Sequence, residues 1–238
     1  MPIDYSLTDK QWNQVEGVQE NKERFDPESI KEFFESWEFP LYFFDFETVQ
    51  PSVPIYDGSR PYEQLPFQYS LHILLEPDGE VEHHEFLADP SAGDPRPALV
   101  TQMLADLGTE GSIVTYFMSF ETGRISELAN AFPGYSRALL ALNERVVDLI
   151  VPFQNHWCYK PEMNGSASIK SVLPAMTDLS YDDLEIQEGK TASETWLALA
   201  EDRYSGDAKA QMEALKNYCE MDTWAMVVLY RTLKDQVL

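Results

Sequence analysis

The stretch LYFFDFETVQ, residues 41–50, constrains the fold of this chain more than any other. Five of its first six residues are large and apolar, as in a strand covered on both faces, yet Asp45 and Glu47 interrupt the run two positions apart. Side chains alternate across a strand, so the two acids share a face with Leu41 and Phe43, while Tyr42, Phe44 and Phe46 take the other. Like charges on a mostly apolar face repel each other and resist desolvation. Either the strand frays into solvent at 45–48, or a divalent cation neutralises the pair.

The remaining pattern supplies the framework. DPESIKEFFESW reads as a helix with Asp26 as cap, Pro27 in the first turn, and Ile30, Phe33, Phe34 and Trp37 on one face. A strand at 41–47 and a Pro-rich loop follow. FQYSLHILLE and VEHHEFLA form a hairpin around Pro77-Asp78-Gly79. Helices are predicted at 96–107 and 120–131, short ones near 168–175 and 191–202, and a long one at 207–235 capped by Asp207. SIVTYF and RVVDLI complete five strands. A three-strand meander followed by βαβ crossovers predicts an α/β fold with a mixed five-stranded sheet flanked by helices.

Three further acids sit where an ordinary fold does not need them. Asp222 lies one helical turn after Tyr218, in the stripe formed with Leu215, Ala225 and Leu229, so it needs a partner: a metal, or in an ordinary core an N–H group or an arginine such as Arg124. Glu121 stands at the start of a helix, where the dipole alone favours an acid. Asp148 interrupts the β-branched run RVVDLI and suits a supporting role or a hydrogen-bonded cap. Converging acids would offer only oxygen ligands, a set that selects Mg²⁺ or Mn²⁺ over zinc. Two such ions ~3.5–4 Å apart serve phosphodiester displacement, with Tyr218 orienting the attacking water.

Asp45-Phe46-Glu47-Thr48, Phe120-Glu121 and Tyr218-x-x-x-Asp222 resemble the three motifs of DnaQ-like 3′–5′ exonucleases, the DEDD group on a ribonuclease H-like fold. The tyrosine four residues before the last acid resembles that group's tyrosine subclass. YFFDFETVQPSVPIYDGSRPYEQLPFQYSLHI, NGSASIKSVLP and YCEMDTWAMV further resemble a bacterial domain family of unknown function within that superfamily. The resemblance implies a peripheral segment at 1–25 and an exonuclease-like domain at 26–238. It implies Asp45, Glu47 and Asp222 as metal ligands, Tyr218 as the water-positioning group, Glu121 in the place of the usual Asp, and two Mg²⁺ or Mn²⁺ ions. Met118 stands where such enzymes often carry Asn. The implied reaction is 3′–5′ exonucleolytic hydrolysis of single-stranded or frayed nucleic-acid ends. The alternative is a catalytically inactive nuclease-like domain that binds protein or nucleic acid. In that family the domain is often part of a longer chain.

A net charge of −24 permits a concentrated cationic patch but not a wide basic groove. Arg124, Ser168 and Lys170 are the candidate substrate-binding residues. GSASIK can present Ser166, Ser168 and backbone N–H groups to a phosphate with Lys170 behind, or it is an ordinary helix cap. Tyr56, Tyr62, Phe67, Trp157 and Tyr159 read as loop aromatics that stack on bases or pack as a lid. Two distant cysteines, Cys158 and Cys219, give neither a disulfide framework nor a zinc ribbon. His83 and His84 point to opposite faces of a strand, and His72 and His156 lack ligand spacing, so no zinc is assigned. No signal-peptide pattern opens the chain and no membrane span is read, which gives a cytoplasmic expectation.

Overall fold

The structure, a computed structural model, describes residues 6–237. In chain order the elements begin with α1 (Asp9–Glu20), β1 (Arg24–Phe25), α2 (Pro27–Glu35) and β2 (Leu41–Val49). Next come β3 (Leu65–Leu74), β4 (Val81–Leu87), α3 (Arg96–Asp106), β5 (Ser112–Thr115), α4 (Ser119–Ala131) and α5 (Ser136–Asn143). The chain continues through β6 (Val146–Asp148), α6 (Val151–Gln154), β7 (Cys158–Tyr159), α7 (Ile169–Met176), α8 (Gly189–Ala200) and α9 (Ala208–Val237). They fall into two compact units. One holds the residues up to Ser36, Leu149–Ser180 and those from Val228 on; the other holds Trp37–Asp148 and Tyr181–Val227.

The larger unit carries the five-stranded mixed sheet, in the order β4-β3-β2-β5-β6. β3 runs antiparallel to both β2 and β4, whereas β5 joins β2, and β6 joins β5, in parallel. This is the predicted meander with crossovers, compatible with a ribonuclease H-like fold. Tyr42, Phe44 and Phe46 of β2 and Tyr69, Leu71 and Ile73 of β3 form one core with Leu99, Met103, Ile125, Leu128, Leu139 and Leu142 of α3, α4 and α5. At ~25 cal/mol per Å² of apolar surface, that face supplies much of the unit's driving force. Gly111, at φ +83, leads into β5; a Cβ there would collide with the Pro40 carbonyl, so the glycine permits β5 to lie close to the entry of β2.

The smaller unit pairs β1 with β7, Arg24 opposite Tyr159. Asp26 caps α2 through the Ser29 N–H, as predicted. Phe33 packs edge-on against Trp157 and Phe34 against Tyr230. The polar N-terminal stretch contains α1, closed by a reciprocal capping box between Thr8 and Gln11. Gly17 of α1 is buried against the Tyr159 ring.

Two strands are shorter than predicted, for a shared reason. β5 stops at Thr115 and β6 at Asp148 because the Asp148 carboxylate accepts the N–H groups of Phe117 (2.8 Å) and Met118 (2.9 Å). That pair of bonds pulls the chain out of the sheet, with Phe117 at φ +77, and starts α4. Among the supposed loop aromatics, Phe67 lies inside β3, stacked on Trp196 at 4.7 Å, and Trp157 and Tyr159 take part in packing. Tyr62 remains exposed.

Candidate metal centre

Three carboxylates come together in the larger unit. One ligand oxygen each from Asp45, Glu47 and Asp222 lies within 4.8 Å of the others. Strand alternation puts the first two on one face of β2, opposite Ser70 and Gln68 of β3, and a bulge follows Glu47 and bends the strand end. α9 crosses this face: the Leu215 carbonyl accepts a 3.0 Å bond from Gln68 Nε2, and the Thr223 hydroxyl meets Ser70 Oγ at 2.7 Å. These contacts fix the rotation of α9 and thereby aim Asp222.

Glu121, in the first turn of α4 and 1% exposed, joins the cluster through a side-chain hydrogen bond with Asp45. Its Oε2 is buried with no protein donor in reach. Two carboxyl groups can make such a contact only by holding a proton between them, or by yielding it to a cation. Burial pushes Asp45 well above the ordinary carboxyl range, and Asp222, Glu121 and Glu47 add to the rise. Burial also pushes Glu121 up to about 8, with Asp148 raising it further and Arg124 opposing. The donor set, all carboxylate oxygen with one orphaned buried atom, fits a hard divalent cation.

Two tyrosines frame the acids. Tyr181 donates a 2.6 Å hydrogen bond to Asp222 Oδ1. Nothing in the sequence marks Tyr181, which lies outside any motif in the stretch before α8. Tyr218 is buried one turn before Asp222, its ring 6.3 Å from that of Tyr181. Burial, then Asp222, drives both phenols upward, with Glu47 and Asp45 adding at Tyr218 and Tyr218 and Asp45 adding at Tyr181, so each stays protonated. Gly189 opens α8 beside the site; a Cβ there would stand 3.7 Å from Glu47 Oε2 and 3.8 Å from Tyr218 Oη. The α8 N-terminus thus lies near the Glu47 carboxylate, which its dipole favours.

The remaining candidates have other settings. Arg124 is paired with Glu127 at 2.6 and 2.7 Å, touches Gln64, and lies over the Phe120 ring, so it is not the partner of Asp222 that an ordinary core would require. Ser168 and Lys170 belong to the smaller unit, Ser168 at the N-cap of α7 with its hydroxyl 3.0 Å from that of Ser171. Of the two roles open to Asp148, a supporting acid or a cap, its carboxylate serves as the cap that holds the turn leading to Glu121, and its charge also raises the Glu121 carboxyl.

A cluster that sequence spacing did not reveal lies on the same side of β3. The hairpin register sets His72 opposite His83. Burial, then His83, pushes the His72 imidazole down to about 3, so it is neutral.

Residues 42–168 match the family model "Domain of unknown function (DUF2779)". The match includes Asp45, Glu47, Glu121 and Ser168 and ends before Lys170, Tyr181, Tyr218 and Asp222. An uncharacterised protein of Mycoplasma pneumoniae, the MG366 homolog, is 30% identical over 218 residues, covering 81% of this chain and 32% of the relative. The uncharacterised MG366 of Mycoplasma genitalium is 27% identical over 214 residues, 82% of this chain and 32% of the relative. UU173 of Ureaplasma parvum, also uncharacterised, is 25% identical over 227 residues, 82% and 31% respectively. The chain spans about a third of the length of these curated relatives. No solved structure matches it. No helix among the described residues is long and apolar enough to cross a membrane. The family match spans more than half of the sequence, and the chain belongs to the DUF2779 family of domains of unknown function.

Proposed function

We propose that this domain is a metal-dependent nuclease of the DnaQ-like type, hydrolysing nucleic acid from the 3′ end with two Mg²⁺ or Mn²⁺ ions. The observation that carries the reading is the approach of Asp45 and Glu47 of β2 and Asp222 of α9 within 4.8 Å, from strand and helix far apart in the chain. Divalent cations, when bound, stabilise the attacking and leaving oxygens of a phosphodiester displacement and acidify the attacking water. Asp45, Glu47 and Asp222 would hold them. Glu121 touches Asp45 and completes the anionic wall; its longer side chain, in the place of the usual Asp, still reaches the cluster. Tyr181 fixes the Asp222 rotamer through its hydroxyl. Tyr218 stays protonated, so it orients a water by hydrogen bonding and does not act as a base. Gly189 leaves room beside Tyr218 and Glu47 for a ligand.

A single-stranded end suits a strongly acidic chain better than a duplex, because fewer phosphates must be accommodated at once. Arg124, in the same unit as the acids, remains the proposed phosphate-contacting residue beside them. The test is incubation of the purified protein with 5′-labelled DNA and RNA oligomers in Mn²⁺. Stepwise shortening that Asp222→Asn abolishes, with the variant still folded, supports the reading. Intact oligomers with wild-type protein favour the alternative, a nuclease-like binding module.

A further inference from the structure

His72 of β3 and His83 of β4 face each other across the antiparallel hairpin. Their rings stack with centroids 4.5 Å apart and planes 28° apart. Glu220 reaches them from α9, its Oε1 4.0 Å from His83 Nδ1. One ligand atom from each of these three side chains lies within 4.8 Å of the other two. We propose that His72, His83 and Glu220 form a second metal site, distinct in its residues from the acid cluster and suited to a borderline divalent ion of the zinc, cobalt or nickel class.

Donor chemistry sets the class. Two imidazoles and one carboxylate favour borderline ions over Mg²⁺, and three protein ligands leave a fourth position for water. The His83–Glu220 separation is too long for a hydrogen bond. An ion bonded at ~2.0–2.1 Å to nitrogen and ~2.0–2.2 Å to oxygen spans it after small side-chain rotations.

The surroundings orient the rings as metal-ligating histidines require. The Thr223 hydroxyl lies 2.8 Å from His72 Nδ1, the Ser70 hydroxyl 3.0 Å from His83 Nε2, and the two hydroxyls 2.7 Å from each other. Each histidine therefore keeps one nitrogen in the hydroxyl network and one outside it. Such hydrogen bonds fix tautomer and ring direction in metal sites. His72 and Thr223 are buried, whereas His83 and Glu220 are open enough to solvent to admit an ion.

An ion here would join the β3–β4 hairpin to α9. Ser70 pairs directly with Asp45, and Glu220 precedes Asp222 by two residues. Occupancy would clip together the backbones that carry the acid cluster. The site stands whether or not the domain cleaves nucleic acid.

The test is optical titration of chelator-treated full-chain protein with Co²⁺. One equivalent should give visible ligand-field bands that Zn²⁺ displaces. The bands should survive in Asp45→Asn, vanish in His83→Ala, and require about tenfold or more metal in Glu220→Gln. Thr223→Val, which removes only the orienting hydroxyl, should weaken binding by ~10–100-fold. Circular dichroism checks that each variant folds; Glu220, with its side chain 47% exposed, provides the substitution least able to disturb the core. Absence of bands in the wild type, their loss in Asp45→Asn, or their persistence in both His83→Ala and Glu220→Gln overturns the proposal.

Discussion

On one face of β2 and β3 lie Tyr42, Phe44, Phe46, Tyr69, Leu71 and Ile73; on the other, among Leu41, Phe43 and Leu74, lie Asp45, Glu47, Gln68, Ser70 and His72. The strands and their hydrogen bonds are the same on both sides, and only the side chains differ. The first face is closed by α3, α4 and α5 through apolar contact, with a polar tie at its edge where the Tyr69 hydroxyl donates to Asp106 of α3. The second meets α9 through polar groups: Gln68 Nε2 donates to the Leu215 carbonyl while its Oε1 stays without a partner, and Ser70 and His72 meet Thr223. The contact between Asp45 and Glu121 has no such match from a protein donor. A fold that needed only stability would have filled that position with another phenylalanine. The difference teaches that one face is built for cohesion, while the other gathers carboxyl groups whose burial is costly without a counter-charge.

Substitutions on the two faces should therefore act in opposite directions. Phe44→Ala, on the apolar face, is expected to cost ~3–5 kcal/mol in chemical denaturation, because the ring is fully buried and its neighbours Phe46 and Tyr69 cannot fill the cavity. Asp45→Asn, one residue along on the opposite face, should stabilise the metal-free protein by roughly 1 kcal/mol at pH 8, since a neutral amide sits beside three other acids without having to hold a proton against the solvent. Equal losses from the two substitutions would break the comparison.

A smaller effect should appear as pH dependence. The folded Glu121 carboxyl is raised from 4.5 to about 8 by burial, so between those values the folded state holds a proton that the unfolded state has released. Its stabilising contribution is complete below about 4.5 and is lost as pH rises through about 8. In EDTA, the melting temperature should fall across this window, and fall less in Glu121→Gln. Mn²⁺ should reduce the fall, because an ion takes over from the proton. An equal decline in wild type and Glu121→Gln would show that Glu121 is not the group responsible.

The sequence made β2 and its acids legible because a period of two is visible in ten residues. Tyr218 and Asp222 were legible for the analogous helical reason, a spacing of four within an apolar stripe. Tyr181 was not: its bond to Asp222 joins residues 41 apart through a stretch without periodicity. His72 and His83 were judged by spacing along the chain, whereas their meeting depends on hairpin register, which a sequence leaves undetermined until the turn is known. α1 carried a readable signal in Thr8 and Gln11, outweighed by the polar character of its surroundings. β5 and β6 ended early because Asp148 binds backbone N–H groups some thirty residues away, a contact no local pattern encodes.

Anomalous diffraction from crystals soaked in Mn²⁺ tests most directly whether the acids of β2 and α9 are a cation site. The account predicts a manganese peak within bonding distance of Asp45 and Asp222 oxygens, with the Asp45–Glu121 contact opened. Crystals saturated with manganese that show no peak there, with Asp45 and Glu121 still in contact, would contradict it.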